Sequence, residues 1–190
     1  TTVNSGPAHA RNTGIEMASG DYVTFVDSDD LLLPGMYGAM LSLAEKSDLD
    51  EVCCGYRMEN TTGKTVRVQD FAAPSFVAPS PGEFQCQLTA LVKAHLMYVI
   101  WNKLFKRSFL LENGLRFSDF LSGEDRLFNI QSWPHIRRFG AVPGPYYRYI
   151  IHGSDSLVNR YIPNRFDSAV ACQQAFLDAY TQMKILTPEN

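Results

Sequence analysis

Tyr22-Val23-Thr24-Phe25-Val26-Asp27-Ser28-Asp29-Asp30 is the stretch whose reading decides the fold. Five residues rich in β-branched and aromatic types run into three carboxylates within four positions. A continuous apolar run bounded by turn signals predicts a short strand buried inside a parallel sheet. Asp27, Asp29 and Asp30 then stand where the strand leaves the sheet, the carboxyl edge at which open α/β sheets bind ligands. Three like charges so close repel one another and need a cation or donated hydrogen bonds. Oxygen-rich groups of this kind suit Mg²⁺ or Mn²⁺, which keep waters and take one or two carboxylates together with substrate phosphates. The stretch points to a metal-assisted site with a phosphate leaving group.

Three other readings use the same letters. An acidic turn is the plainest, with Asp30 capping a helix read over residues 31–45. A calcium loop needs acidic or Asn residues at every second position and then a Gly, and Leu31 and Leu32 stand in those places, so that reading fails. An Asp-nucleophile phosphatase resembles Val26-Asp27-Ser28-Asp29, but Leu31 occupies the place of that family's Thr.

The 190 residues suit one domain with a sizeable core rather than two. A hydrophobic content of 45% excludes wholesale disorder. Seventeen basic against twenty acidic side chains leave a net charge of −3, which excludes nucleic-acid binding driven by bulk charge. Cys53, Cys54, Cys86 and Cys172 show no zinc spacing, and a reduced, cytoplasmic setting is expected. No apolar run approaches the roughly 18 residues of a membrane helix, and no signal peptide opens the chain. Thr1-Thr2-Val3 reads as the end of a strand, so the chain is expected to be a piece of a longer protein.

Asn4-Ser5-Gly6-Pro7 predicts a turn that opens a helix, with Ala8, Ala10, Ile15 and Ala18 inward and Gly20 at its end. Arg11 and Asn12 lie on that helix. Either they form a solvated face bonded to a neighbouring loop, or the Arg11 fork reaches a nucleotide.

Asn4, Gly6, Ala10-Arg11-Asn12, Gly14-Ile15, Ala18, Gly20, Tyr22, Phe25 and Asp27-Ser28-Asp29-Asp30 together resemble the core signature of glycosyltransferase family 2. The resemblance implies a GT-A fold: a Rossmann-like α/β mixed sheet flanked by helices, here lacking its first βα units, with a small β-hairpin and a C-terminal helix. It implies a nucleotide-diphospho-sugar donor, and it places the family's DxD motif on Asp27 and Asp29. Asp27 would face the donor's ribose side, Asp29 would contact a divalent cation (Mn²⁺ or Mg²⁺), and Arg11 would hold the nucleotide. With the first units missing, the nucleotide pocket of this fragment would be half built. The fragment alone is then expected to be inactive and to self-associate through the open sheet edge beside Tyr22–Val26.

Farther on, residues 31–45 predict a helix with Pro34 in its first turn and Met36, Tyr37, Met40, Leu41 and Ala44 as its apolar stripe. Val52, Cys54, Tyr56 and Met58 alternate with Cys53, Gly55, Arg57 and Glu59 as a half-buried strand. Residues 61–64 turn the chain, residues 65–68 return as the hairpin partner, and residues 72–82 are a Pro-rich loop or acceptor-side flap. Residues 83–94 predict a helix, with Asn113-Gly114 as a later helix stop. Trp101-Asn102-Lys103-Leu104-Phe105-Lys106-Arg107 resembles another family segment, in which Lys103 either meets the donor or not. Ser122-Gly123-Glu124-Asp125 reads physically as a capping box with Ser122 at the N-cap. By resemblance it is the family's Glu-Asp motif, with Asp125 as catalytic base and Glu124 orienting groups. Residues 139–142 and 146–151 predict two short strands. His152 and Arg148 fall in a stretch similar to the family's aromatic–Arg–His–Gly–Ser segment, where His152 would join the metal and Arg148 the diphosphate. Residues 163–185 predict a terminal helix with Phe166, Val170, Phe176, Leu177 and Tyr180 available for packing.

The chain therefore reads as a single partial GT-A domain, with the metal strand and its helices in residues 1–50. Residues 51–120 form an acceptor-side insert, and residues 121–190 carry the base helix and tail. The expected activity is inverting transfer of a sugar to a carbohydrate or lipid-linked acceptor in bacterial surface polysaccharide synthesis. The location would be cytoplasmic, or peripheral at the inner face of the membrane, with no nucleic acid as partner. A non-catalytic binding fragment and the phosphatase are the competing classes.

Overall fold

The computed structural model describes residues 6–61, 66–151 and 162–185. Its frame is a mixed seven-stranded sheet centred on β3 (Glu51–Asn60). In chain order α1 (Gly6–Met17) precedes β1 (Tyr22–Thr24), β2 (Leu31–Leu32) and α2 (Met36–Ser47), after which β3 begins. Then come β4 (Arg67–Phe71), β5 (Phe76–Ala78), α3 (Pro81–Lys93), β6 (Lys103–Lys106) and α4 (Arg107–Glu112). The chain continues through α5 (Glu124–Ser132), a short 3-10 turn, β7 (Phe139–Ile151) and α6 (Arg165–Gln182). The principal strand order is β1-β6-β3-β7-β2, with β4 added to β3 and β5 to β7. Among the described residues, no helix is long and apolar enough to cross a membrane.

The strand before the carboxylates differs from the expected buried parallel one. β1 is three residues long, half-buried, antiparallel to β6 and last in the sheet order. Only Phe25 beyond it is buried, and Val26 is already exposed. Among the described residues, β6 is the strand paired with it. Residues 31–32 also depart from the predicted helix, pairing as β2 with Arg148 and Tyr147 of β7. The helix waits until Met36 because Pro34 disfavours helical backbone at Leu33, and Gly35 then turns left-handed at φ 88° as the N-cap. Leu33 N–H donates instead to the Tyr146 carbonyl.

β3 is buried on both faces from Glu51 to Tyr56 and half-buried on both beyond, so the alternation expected along it is absent. It runs parallel to β7 and antiparallel to β6 and β4. The register with β7 shifts on both sides of Gly55, which faces Pro145. A Cβ at Gly55 would lie 2.6 Å from the Phe71 carbonyl oxygen and 2.7 Å from that of Gly144, both backbone atoms that cannot yield. The bulge also seats Pro143 and Pro145, which cannot donate to a ladder. Residues 139–151 are thus one irregular strand in place of the two predicted. Part of the expected loop 72–82 is β5, paired with Phe139–Ala141 at the opposite end of β7 from Ile150. Ser80 caps α3, its hydroxyl accepting from Glu83 N–H and donating to Glu83 Oε1. Phe166, Val170 and Leu177 of α6 are 78%, 52% and 42% exposed, contrary to expectation, because the inward face of α6 is set by Phe176 and Tyr180 against Trp133.

Two buried charges lie inside the sheet. Both carboxylate oxygens of Glu51 are buried and lack hydrogen-bond partners among the described residues. Burial raises this carboxyl to about 7, with Lys103 opposing the shift. Glu51 holds its proton more tightly in the folded chain than at its ordinary 4.5. Its contribution is therefore fully present below that value and is lost as pH rises to about 7. Chemical denaturation at several pH values should show stability falling across this window, and Glu51→Gln should flatten the fall. An unchanged slope in the variant would mean that Glu51 is solvated.

Candidate active site

Arg11 stands in the second turn of α1, a helix whose Ala8 and Ile15 pack inward. Its neighbour Asn12 holds residue 117 by two hydrogen bonds, donating to the Phe117 carbonyl and accepting from the Phe117 N–H at 2.9 and 2.8 Å. The Phe117 ring lies under the Arg11 guanidinium, 5.4 Å from its centroid. So fixed, the guanidinium donates to Asp27 Oδ1 at 3.0 Å and to Glu124 Oε1 at 2.7 Å. One cation thereby joins the acidic stretch 27–30 to the Glu124–Asp125 pair. The resemblance put Arg11 on the donor nucleotide. The structure instead gives it two carboxylates of its own chain.

Aromatic packing sets the same spacing from below. Phe25 makes edge contacts with Phe105, Phe117 and Phe128, and Phe117 stacks on Phe128 at 4.1 Å. Phe25 is two residues before Asp27, and Phe128 is one helical turn after Asp125, so this cluster fixes both carboxylates to one rigid base. Interlocked aromatic pairs tolerate little change in separation.

Each carboxylate has a distinct environment. Asp30 is buried and caps no helix. Its Oδ2 accepts from the Tyr147 hydroxyl at 2.8 Å and its Oδ1 from Ile150 N–H at 2.9 Å. Burial nevertheless raises its pKa to about 6, against the pull of those two donors. The Tyr147 oxygen in turn accepts from Asp27 N–H at 3.2 Å, so one buried tyrosine pins both ends of the acidic turn. Asp27 is half-buried and Asp29 faces solvent. Among the described residues no three His, Cys, Asp or Glu side chains converge to hold an ion. With Asp30 saturated and one oxygen of Asp27 engaged by Arg11, the donor set does not form a cage. It suits a hydrated Mg²⁺ or Mn²⁺ shared with substrate phosphates.

Asp125 opens α5. Its N-cap is Gly123 in the left-handed region at φ 83°, and Ser122 makes no side-chain cap, so the predicted capping box is absent. A Cβ at Gly123 would also lie 2.6 Å from Ser168 Oγ. Asp125 Oδ1 accepts from Arg126 N–H at 2.7 Å. Burial, and then the Glu124 charge, raise its pKa to about 6, while the Arg126 N–H and Arg11 draw it down. A carboxylate that is half-buried and titrates near neutrality is a competent proton acceptor. Asn129, one turn on, donates to the Asp125 and Tyr98 carbonyls and anchors this end of the helix.

Three expected donor or metal residues fare differently. Lys103 is fully buried, and its ammonium donates to the Leu96 and Val99 carbonyls and to Asn102 Oδ1 at 2.8, 2.5 and 2.9 Å. With all three donors engaged, it locks the 96–102 loop and does not meet a donor. Arg148 is paired with Glu59 at 2.6 Å. It follows Tyr147 on β7, and alternation turns it to the other face of the sheet, away from Asp30. His152 lies outside the described residues. In the sequence Tyr147 stands out only as a strand residue, although the Tyr147/Tyr149 alternation marks one face of β7.

The family profile described as Glycosyl transferase family 2 matches residues 1–112. EpsH of Bacillus subtilis (strain 168), which carries a glycosyltransferase name, is 32% identical over 188 residues, 95% of this chain and 53% of EpsH. The succinoglycan biosynthesis protein ExoO of Rhizobium meliloti (strain 1021) is 28% identical over 185 residues, 93% of this chain and 51% of its own. Residues 1–349 of S. aureus TarS, solved in complex with UDP-GlcNAc, superpose with a TM-score of 0.64 at 19% identity. That match covers 98% of this chain and 55% of that TarS fragment, and it shows a shared GT-A fold. The chain thus spans about half the length of the relatives it matches.

Replacing the bridge should test its weight. Arg11→Gln leaves Glu124 buried without a cation and should lower stability by about 2 kcal/mol, the scale of a hydrogen bond to a charged group. Arg11→Lys should not restore it, because one ammonium cannot reproduce the planar fork. Equal melting temperatures for wild type and Arg11→Lys would show that charge alone suffices.

Proposed function

The chain belongs to glycosyl transferase family 2, and on that premise we propose that it carries the catalytic side of an inverting glycosyltransferase. The donor is a nucleotide-diphospho-sugar and the acceptor a carbohydrate or lipid-linked hydroxyl, in the synthesis of bacterial surface polysaccharide. The observation that carries this reading is the Arg11 bridge, which sets Asp27 and Glu124 on one guanidinium with Asp125 beside them. The UDP-GlcNAc complex of TarS supports a nucleotide-sugar donor, and ExoO supports a polysaccharide product.

In the proposed step the acceptor hydroxyl gives its proton to Asp125 as its oxygen forms a bond to the anomeric carbon. The bond from that carbon to the diphosphate breaks on the opposite face, and its electron pair leaves with the nucleoside diphosphate. Glu124 and Arg11 hold Asp125 and Asp27 in place, and Asp27 faces the donor's ribose side. Asp29 is the proposed ligand of Mg²⁺ or Mn²⁺, with His152 as the second candidate; such an ion supplies Lewis-acid neutralisation of the leaving diphosphate. General-base help of this kind is typically worth about 10²–10⁴-fold.

In the full-length protein, Asp125→Asn should keep nucleoside diphosphate binding and melting temperature while transfer falls by about 10²–10⁴-fold. Because the base must be deprotonated, wild-type turnover should fall about tenfold per pH unit below about 6. Transfer within a few-fold of wild type in Asp125→Asn would assign the base elsewhere. Asp29→Asn should abolish the Mn²⁺ dependence of nucleoside diphosphate binding in calorimetry. Unchanged Mn²⁺ dependence would make the acidic stretch a turn only.

A further inference from the structure

Tyr147 and Tyr149 stand two positions apart on β7 and therefore on one face of the sheet. Trp101 lies flat against both rings, with centroids 4.3 and 5.5 Å away and planes 13° and 15° apart. Asn102 and Lys103 lock the loop that carries Trp101, so both tyrosines have a fixed backing. Their hydroxyls differ. That of Tyr147 is engaged by Asp30 and by the Asp27 N–H. Tyr149 is half-buried, and its hydroxyl donates to no acceptor among the described residues.

The place of Tyr149 follows from the ladder. β2 pairs Leu32 with Tyr147 and Leu31 with Arg148. One step farther, Tyr149 comes opposite Asp30, whose Oδ1 accepts from the next N–H on β7, that of Ile150. The phenol thus stands beside the acidic turn, and the Arg11 bridge brings Glu124, with Asp125 next to it, toward that same turn. The electrostatics agree. Burial, and then the charges of Asp30, Asp29, Asp27 and Asp125, raise the Tyr149 phenol above its ordinary value. It keeps its proton and remains a hydrogen-bond donor.

An uncharged donor among carboxylates suits an uncharged ligand group, since a bare anion is repelled there. An aromatic ring with a polar tip fits a group that combines oxygen acceptors with apolar C–H faces. In a nucleotide-diphospho-sugar that group is the sugar. In the proposed step the sugar lies between the diphosphate beside Asp29 and the acceptor hydroxyl at Asp125, because its anomeric carbon is bonded to the first and attacked by the second.

We propose that Tyr149 contacts the transferred sugar and is a specificity-determining residue of the site, its hydroxyl donating to an oxygen of that sugar while Trp101 holds its ring in place. The inference rests on the reading of Asp29 and Asp125 as metal ligand and base.

In the full-length protein with Mn²⁺, calorimetry compares UDP-GlcNAc with UDP, GDP-mannose with GDP, and dTDP-glucose with dTDP. Wild-type binding of any of the three sugar nucleotides is the readout of the underlying reading; binding of none overturns that reading and this inference together. Tyr149→Phe removes the hydroxyl alone and keeps the ring on Trp101. Melting temperature and affinity for the matching nucleoside diphosphate should therefore hold. Affinity for the sugar nucleotide should fall about fivefold, the scale of one neutral hydrogen bond. A folding defect would instead weaken both ligands alike. An equal fall for both ligands, or no fall for the sugar nucleotide, would overturn the assignment of Tyr149 while the underlying reading stands.

Discussion

The Arg11 guanidinium is the constraint on which the site depends. Asp27 and Glu124 come from stretches almost a hundred residues apart, and both are negative. Left to themselves they would separate and draw in water. A planar cation with donors on two sides makes their approach favourable, and Phe117 beneath it keeps the fork from swinging. Partly buried bridges of this kind are weak sources of net stability, since desolvation offsets much of the attraction. Their effect is on arrangement. Removing the cation would leave buried anions that only a rearranged site could tolerate.

The sheet supports this arrangement from the other side through Tyr147. Its hydroxyl accepts from Asp27 N–H and donates to Asp30, so the acidic turn is tied to β7, and through β7 to β3 at the centre of the sheet. Asp30 thereby leaves the set of groups available to a ligand and becomes a structural anchor. The division of labour follows from burial: each oxygen of the carboxylate sunk against the sheet takes a protein donor, while Asp29 lies at the exposed surface. Lys103 shows the same logic inverted. A cation expected at the ligand is inside the protein and satisfied by carbonyls, where it shares the interior with the unpartnered Glu51.

Asp125 owes its chemistry to its surroundings more than to its position at a helix start. Burial and the adjacent Glu124 raise its proton affinity, and Arg11 and the Arg126 N–H limit the rise. The same helix start borders a cavity that carries Arg126 and Arg165. One short segment, turned left-handed at Gly123, therefore borders both the carboxylate-rich site and this cavity, with Asp125 lining the latter.

Much of this was legible in the order of residues. The acidic stretch after an apolar run, the Glu-Asp pair and the spacing around Arg11 and Asn12 identify the family and the residues on which its chemistry would rest, because chemistry-bearing residue types and local spacing are properties of the chain itself. The places of helices α1, α3 and α6 follow from their turn and stop signals, although the inward face of α6 does not. What the order of residues could not convey was partnership. Lys103 and Arg148 carry the right charge in a plausible segment, yet one is enclosed by carbonyls and the other is turned to the opposite face by strand alternation. The short β2, the bulge at Gly55 and the outward Phe166 likewise depend on neighbours distant in sequence. Whether a charged side chain serves a ligand or the fold is decided by which donors and acceptors reach it first, and only the tertiary structure brings those to it.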